Sequence, residues 1–265
     1  MFKNRLKEMI RKGQPAIGTF IAFSDPHTVE VMADIGFDWF FIDTEHCTIG
    51  MEGLRDILVA MKGSHTVPVV RLMNNQPDYF KVALDLGAEG VIVPMIESAE
   101  DARRAVQYCR YPPLGTRGFG PVRASRYHLY LDEYAKAANA EILLVAQIES
   151  HRAIQELDAI LAVSGIDAIF IGQADLTSSM NLIGQWGHPE VKAAIDQIIR
   201  QAKKVRMPFG TPASSPEDFA EYVARGATLM TVGGDLEWLQ QAALDSLKRT
   251  KSLLESRGYK GFQEP

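Results

Sequence analysis

Cysteine is scarce in this chain. Its 265 residues include two, Cys47 and Cys109, too few for a disulfide framework and without the paired spacing of a zinc site. No apolar run approaches the length of a membrane span. Runs of lysine and arginine are also missing, and with a net charge of −5 the composition argues against a nucleic-acid-binding surface. Residues 1–13 (MFKNRLKEMIRKG) are basic but lack the apolar stretch of a secretion signal, so an amphipathic helix is expected there. These absences make a cytoplasmic protein with no membrane or nucleic-acid partner the default expectation.

Two further absences bear on fold and chemistry. None of the apolar runs alternates with polar residues, as strands with one wet face do. No G-x-G-x-x-G follows the first strand candidate, which speaks against a dinucleotide-binding doubly wound sheet. What the chain does have is 46% hydrophobic residues, enough for a full core. Eight continuous apolar runs are expected to be strands: Ile17–Ala22, Trp39–Asp43, Pro68–Leu72, Gly90–Met95, Ile142–Ile148, Ala168–Gly172, Met207–Pro212 and Leu229–Gly233. Helical patterns separate them. Gly36, Gly87, Gly165 and Gly226 each stand just before a strand, where a left-handed residue ends the preceding helix. Ser215-Pro216-Glu217-Asp218, and Ser98 with Asp101, carry the spacing of helix starts. Regular alternation of eight strands and helices predicts a single α/β domain over residues 1–265, a (β/α)₈ TIM barrel. The one long irregular connection is Tyr111–Tyr130; such loops are usually functional or contact a partner.

In such a barrel the site lies at the carboxyl ends of the strands. The second strand ends in Asp43-Thr44-Glu45-His46, the third in Arg71, the fifth in Gln147 and Glu149, and the sixth in Gly172-Gln173-Ala174-Asp175. Asp85 lies in the helix after the third strand. Each has a bland reading beside a sharp one. Glu149 and Asp175 end two apolar runs joined by one helix-length segment: two surface acids, or two carboxylates able to share a divalent cation. His46 is a solvated histidine, or a base oriented by neighbouring carboxylates. Arg71 follows the apolar run VPVV, so it is either half of a structural ion pair or the partner of a bound carboxylate or enolate. The Gly172–Asp175 turn offers backbone N–H groups to an anion. Cys47 beside His46 is discounted as a nucleophile, because adjacent residues seldom face one another. Lysines such as Lys62, Lys81, Lys136 and Lys192 fall in helical segments and none lies in a strand. A carbanion formed here would therefore need a metal rather than an imine.

The runs FDWFFIDTEH, VPVVRL, LDLGAEGVIVPMIESAEDARRAV, RYPPLGTRGFGP, VAQIES and IFIGQADL resemble the class II, metal-dependent pyruvate aldolases of the HpcH/HpaI group, in order and spacing, over roughly residues 5–245. The resemblance implies an aldehyde-lyase that reversibly cleaves 4-hydroxy-2-oxo acids, either 2-keto-3-deoxy sugar acids or 4-hydroxy-2-oxo diacids, to pyruvate and an aldehyde by way of a pyruvate enolate. It implies Glu149 and Asp175 as ligands of a divalent metal (Mg²⁺, Mn²⁺ or Co²⁺) and Arg71 as the cation beside the enolate oxygen. His46 would be the base for the C4 hydroxyl, with Asp43 orienting it and Asp85 tuning its basicity. Gln147, Gly172 and Ala174 would be substrate contacts, with Pro212, Phe20 and the Arg117–Arg126 stretch facing the aldehyde portion. It also implies a homo-oligomer, a hexamer, in which the last helix (about Leu236–Leu254) packs on a neighbouring barrel. One departure stands out: the family commonly has Pro where this chain has Gln173, so the turn there is expected to be less restrained. Two rival readings are a metal–enolate lyase acting on a coenzyme A thioester or phosphoenolpyruvate, and a non-catalytic barrel that binds a sugar acid.

Overall fold

A computed structural model describes residues 3–261 of the chain. Residues 1–2 and 262–265, at the two ends of the expected domain, lie outside it.

The strands are β1 (Ala16–Ile21), β2 (Trp39–Asp43), β3 (Val67–Arg71), β4 (Gly90–Val93), β5 (Leu143–Ile148), β6 (Ala168–Ile171), β7 (Phe209–Gly210), β8 (Pro212–Ala213) and β9 (Leu229–Gly234). All pair in parallel, in the order β7-β6-β5-β4-β3-β2-β1-β9-β8. Thr228 N–H donates to Phe209 O at 2.9 Å and Thr231 N–H to Thr211 O at 3.4 Å, which brings the two ends of the sheet together. The result is a nearly closed barrel of the expected class. The strand expected over Met207–Pro212 is divided: β7 pairs with β6 and β8 with β9, so the two pieces share one barrel position and eight positions remain.

Helices cover the sheet: α2 (Pro26–Ile35), α3 (Met51–Ala60), α4 (Pro77–Asp85), α5 (Ala99–Cys109), α6 (Leu131–Glu141), α7 (His151–Gln155), α8 (Leu157–Leu161), α9 (Gln173–Ser179), α10 (Pro189–Lys204) and α11 (Pro216–Ala224). Their punctuation is as the sequence suggests. Ser98 and Ser215 accept from the N–H groups of Asp101 and Asp218, and Gly36, Gly87, Gly165 and Gly226 take φ of +103°, +101°, +105° and +98°. Apolar residues fall into two layers. One, including Trp39, Phe41, Val69, Ile92, Val145 and Phe170, fills the barrel interior; the other lies between strands and helices. Burying a side chain of this size contributes about 1.5–3 kcal/mol each.

The first helix, α1 (Arg5–Arg11), turns Leu6 and Ile10 into the interior layer. It sits across the amino ends of the strands. Asn4 Nδ2 donates to Glu89 O at 2.8 Å, just ahead of β4, and Lys7 Nζ donates to Ile142 O at 2.8 Å, just ahead of β5. Lys7 is 3% exposed and also pairs with Asp167 at 2.8 Å, ahead of β6. Thus the floor is closed by a helix and the opposite end is the mouth. The last helix, α12 (Asp235–Ser256), behaves differently. Asp235 is buried and accepts from the N–H groups of Ala22 and Phe23. Beyond it the helix is exposed along almost its whole length, with Leu236, Leu239 and Leu253 each more than half exposed. No helix among the described residues is long and apolar enough to cross a membrane.

Candidate active site

Register decides how the rim is built. β2 and β3 run side by side with Asp43 directly opposite Arg71. The pair is bidentate: Arg71 Nε donates to Asp43 Oδ1 at 2.9 Å and Nη2 to Oδ2 at 2.6 Å. Both side chains are about nine-tenths buried, so each is the other's compensation for lost water. Burial works to raise the Asp43 carboxyl, but the guanidinium outweighs it and holds the group below the usual carboxylate range. Beneath them the Phe41 ring lies 5.2 Å from the guanidinium carbon. Among the described residues Nη1 has no protein partner, which leaves one edge of a fixed cation for a ligand.

Asp43 also accepts from the backbone N–H groups of Glu45 at 3.0 Å and His46 at 3.3 Å. It therefore shapes the loop that carries His46 through the backbone of that loop. The ring itself is exposed, with Nε2 3.8 Å from Glu45 Oε2 and 3.9 Å from Asp175 Oδ2. Glu45 is the acid to which the sequence assigned no role of its own. Its Oε2 is buried without a hydrogen bond, 3.3 Å from Arg71 Nε. Burial first, then the charges of Glu149, Asp43 and Asp175, push its carboxyl up to about 7 against the pull of Arg71.

Glu149 follows β5 and is 2% exposed. One oxygen accepts from Met95 N–H at 2.7 Å and the other from Gln147 Nε2. Burial nevertheless raises its carboxyl above the usual range, and the charge of Asp175 adds to the shift. Met95 escaped sequence reading: it adopts φ +53°, and that left-handed turn aims its N–H at the carboxylate. Gly172 has a legible reason to be glycine, since a Cβ there would stand 2.5 Å from Glu149 Oε2 and 3.0 Å from Gln147 Nε2. Gln147 Oε1 is buried without a partner.

No group of three or more metal-ligating side chains converges among the described residues. A Mg²⁺-like ion does not need one, because it is commonly held by one or two carboxylates with waters and substrate oxygens. Glu149 and Asp175 fit that role. They are hard oxygen donors whose mutual repulsion raises the Glu149 carboxyl, and a cation between them would relieve it.

Not every expected residue joins the rim. Asp85 ends α4, the helix that runs back from the mouth to the floor, and its carboxylate pairs with Arg117 Nη2 at 2.6 Å. Within this chain it does not reach His46. The Arg117–Arg126 stretch shares that end: Arg117 is fully buried at the side chain, and Arg123 donates to Leu58 O and Leu86 O, the last turns of α3 and α4. It does not face the mouth of its own barrel. Phe20 lies in the upper interior, its ring 4.3 Å from that of Phe41. Pro212 is half-buried at the rim, its carbonyl 3.3 Å from Gln173 Nε2.

Comparison with known proteins gives consistent results. The family model described as HpcH/HpaI aldolase/citrate lyase matches residues 16–242. The 2-dehydro-3,6-dideoxy-6-sulfogluconate aldolase of Pseudomonas putida is 37% identical over 244 residues, spanning 92% of this chain and 95% of that protein. The 4-hydroxy-2-oxo-heptane-1,7-dioate aldolase of Shigella flexneri is 37% identical over 243 residues, 91% of each. Among solved structures, an HpcH/HpaI aldolase/citrate lyase family protein from Burkholderia cenocepacia J2315 superimposes with a TM-score of 0.89 at 32% identity, covering 94% of this chain and all of that one.

Proposed function

Because the chain belongs to the HpcH/HpaI aldolase/citrate lyase family, we propose that its mouth reversibly cleaves 4-hydroxy-2-oxo acids to pyruvate and an aldehyde, with His46, Arg71, Glu149 and Asp175 as the working set. The enzyme is a carbon–carbon lyase, an aldolase like its relatives. Their substrates are a keto-deoxy sugar acid and a hydroxy-oxo diacid, and this chain's substrate belongs to the same class. Identity of 37% to aldolases over about nine-tenths of the chain leaves the thioester or phosphoenolpyruvate lyase and the non-catalytic barrel as the less supported readings. The observation that carries the mechanism is the clamped Arg71: Asp43 fixes it, and Nη1 remains to meet charge.

Cleavage begins at the C4 hydroxyl. His46 stands exposed on the rim and accepts that proton, directly or through one water; an imidazole is the side chain suited to this near neutrality. The C3–C4 bond breaks, its electron pair moves into C2–C3, and negative charge grows on the C2 oxygen. Arg71 is already in place there, so no reorganisation is needed when the charge develops. The Ala174 N–H, in the first turn of α9, holds the substrate carboxylate, since the Gly172 N–H is spent on Ile148 O and the Gln147 amide on Glu149, and Pro212 borders the aldehyde portion. A divalent cation held by Glu149 and Asp175 supplies Lewis-acid polarisation of the 2-oxo group when bound. The buried lysine, Lys7, sits at the floor with Asp167 and offers no amine to the mouth. The enolate takes a proton at C3 from water to give pyruvate; in the reverse direction that C3 proton is lost first, and His46 returns its own proton to the new hydroxyl oxygen.

The protein is a cytoplasmic homo-oligomer, a hexamer, in this reading. The exposed leucines of α12 support its packing on a neighbouring barrel. Since Asp85 lies at the floor of its own barrel, a role in tuning His46 is open only to the Asp85 of a neighbouring copy. The test is pyruvate release from 4-hydroxy-2-oxo acids, followed with a coupled dehydrogenase. Activity should vanish with chelator and return with Mg²⁺, Mn²⁺ or Co²⁺. Full turnover after exhaustive metal removal, or a borohydride-trapped pyruvate adduct on lysine, would overturn the assignment.

A further inference from the structure

Backbone pairing between β6 and the seventh barrel position stops early. The register runs Ile169↔Phe209 and Phe170↔Gly210, then ends; after Thr211 the chain pairs with β9 instead. Pro212 has no N–H to offer. The resulting gap lies directly beside the Gly172–Asp175 turn, and side chains close it. Thr211, fully buried, donates its hydroxyl to Ile171 O at 3.1 Å. Gln173 Nε2 reaches Thr211 Oγ1 at 2.8 Å, Pro212 O at 3.3 Å and the Tyr222 hydroxyl at 3.3 Å. Because Pro212 O can only accept, the orientation of the amide follows from its neighbours. One carboxamide thus ties the first turn of α9 to β8 and to α11.

We propose that Gln173 is a positioning residue that sets the spacing between the pyruvate half of the mouth, ending at Asp175, and the aldehyde half, beginning at Pro212. An aldol step needs its two carbons about 3–3.5 Å apart, and displacement by 1 Å costs on the order of 10²-fold. Nothing in the backbone ladder fixes that spacing on this side of the barrel, so the task falls to the amide. Its action is lateral. As the first residue of α9, position 173 would tolerate proline without harm to the helix start, yet proline would abolish all three contacts.

The proposal rests on the aldolase reading for the identity of the two halves and for its kinetic assay, and the lacing of the rim by Gln173 stands apart from it. Q173A and Q173P are compared with the intact enzyme by amide hydrogen exchange over residues 172–178 and 209–214, and by kcat and KM for condensation of pyruvate with a panel of short aldehydes. Both variants should speed exchange at 209–214 by about tenfold, the effect of losing roughly one net hydrogen bond, with thermal midpoints within a few degrees. Exchange at 172–178 should rise in Q173A and stay near wild type in Q173P, where the ring restrains the turn. In Q173P, kcat/KM for the aldehyde should fall about tenfold while KM for pyruvate changes less than threefold. Wild-type exchange at 209–214 in both variants, or equal losses for pyruvate and aldehyde in Q173P, would overturn it. A wild-type protein that forms no carbon–carbon bond would refute the aldolase reading instead, and the exchange data would still decide whether Gln173 laces the rim.

Discussion

Replacing Glu45 by glutamine should make the metal-free protein more stable at alkaline pH and leave its low-pH stability little changed. Glu45 is a carboxylate short of positive company. It is surrounded by Asp43, Glu149 and Asp175, and the guanidinium beside it, Arg71, is already engaged with Asp43. The folded-state pKa of about 7 stands above the ordinary 4.5. The folded protein therefore holds the Glu45 proton more tightly than the unfolded chain does. That contribution to stability is complete below about pH 4.5 and is lost as pH rises through 7. The interval between 4.5 and about 7 corresponds to about 3 kcal/mol at 1.36 kcal/mol per pH unit. Because the side chain keeps 16% of its surface, about 2 kcal/mol is a fairer figure. For a chain of this size that is about 4–8 °C in thermal midpoint. The assay is scanning calorimetry of wild type and Glu45→Gln in chelator from pH 4.5 to 8.5. The midpoint difference should widen in favour of the variant as pH climbs, and Mg²⁺ or Mn²⁺ should narrow it by favouring the charged form. Parallel curves across the range would refute the argument.

Arg71→Ala should cost about 10²–10³ in kcat with a smaller effect on metal affinity, as removal of one donor aimed at a developing oxyanion does; steady-state kinetics at saturating metal would check it, and a rate within a few-fold of wild type would make Arg71 a structural ion pair only. Asp85→Ala should destabilise the protein by roughly 3 kcal/mol, because it leaves the fully buried Arg117 side chain without its counter-charge; denaturant unfolding measures this, and an unchanged midpoint would show that Tyr134 and Tyr111 suffice as partners.

Much of the fold was legible because a parallel barrel writes itself in continuous apolar runs. Trp39–Asp43 was bounded to the residue, and the other undivided strands agree to within two residues at either end. The seventh position was harder. MPFGTP reads as one short strand, and the division at Thr211 depends on two neighbours that take different parts of this stretch. The rim was legible where strands end in polar residues, and less so where function depends on what lies opposite. The Asp43–Arg71 clamp is a product of register, which no single-strand pattern encodes. Met95 carries no mark of its left-handed backbone. Asp85 was suggested by the family resemblance alone, while the direction of α4 takes it to the floor of its own barrel. Gln173 looked like a loss of restraint, since its contacts lie on elements far along the chain.

The helix that stops the floor has a practical consequence for handling the enzyme. The chain enters the barrel from beneath, with Asn4 and Lys7 anchored at the amino ends of β4, β5 and β6. A tether attached ahead of Asn4 would therefore leave from the side opposite the rim. Coupled to a bead or electrode through such a leader, each barrel would present its open end to the bulk liquid, and substrate could arrive without passing the support. A tether that pulls on Lys7 is another matter, because drawing α1 away would uncover Leu6, Ile10 and the aromatic layer above them. Spacing between anchor and Asn4, rather than the chemistry of the anchor, is then the variable to adjust.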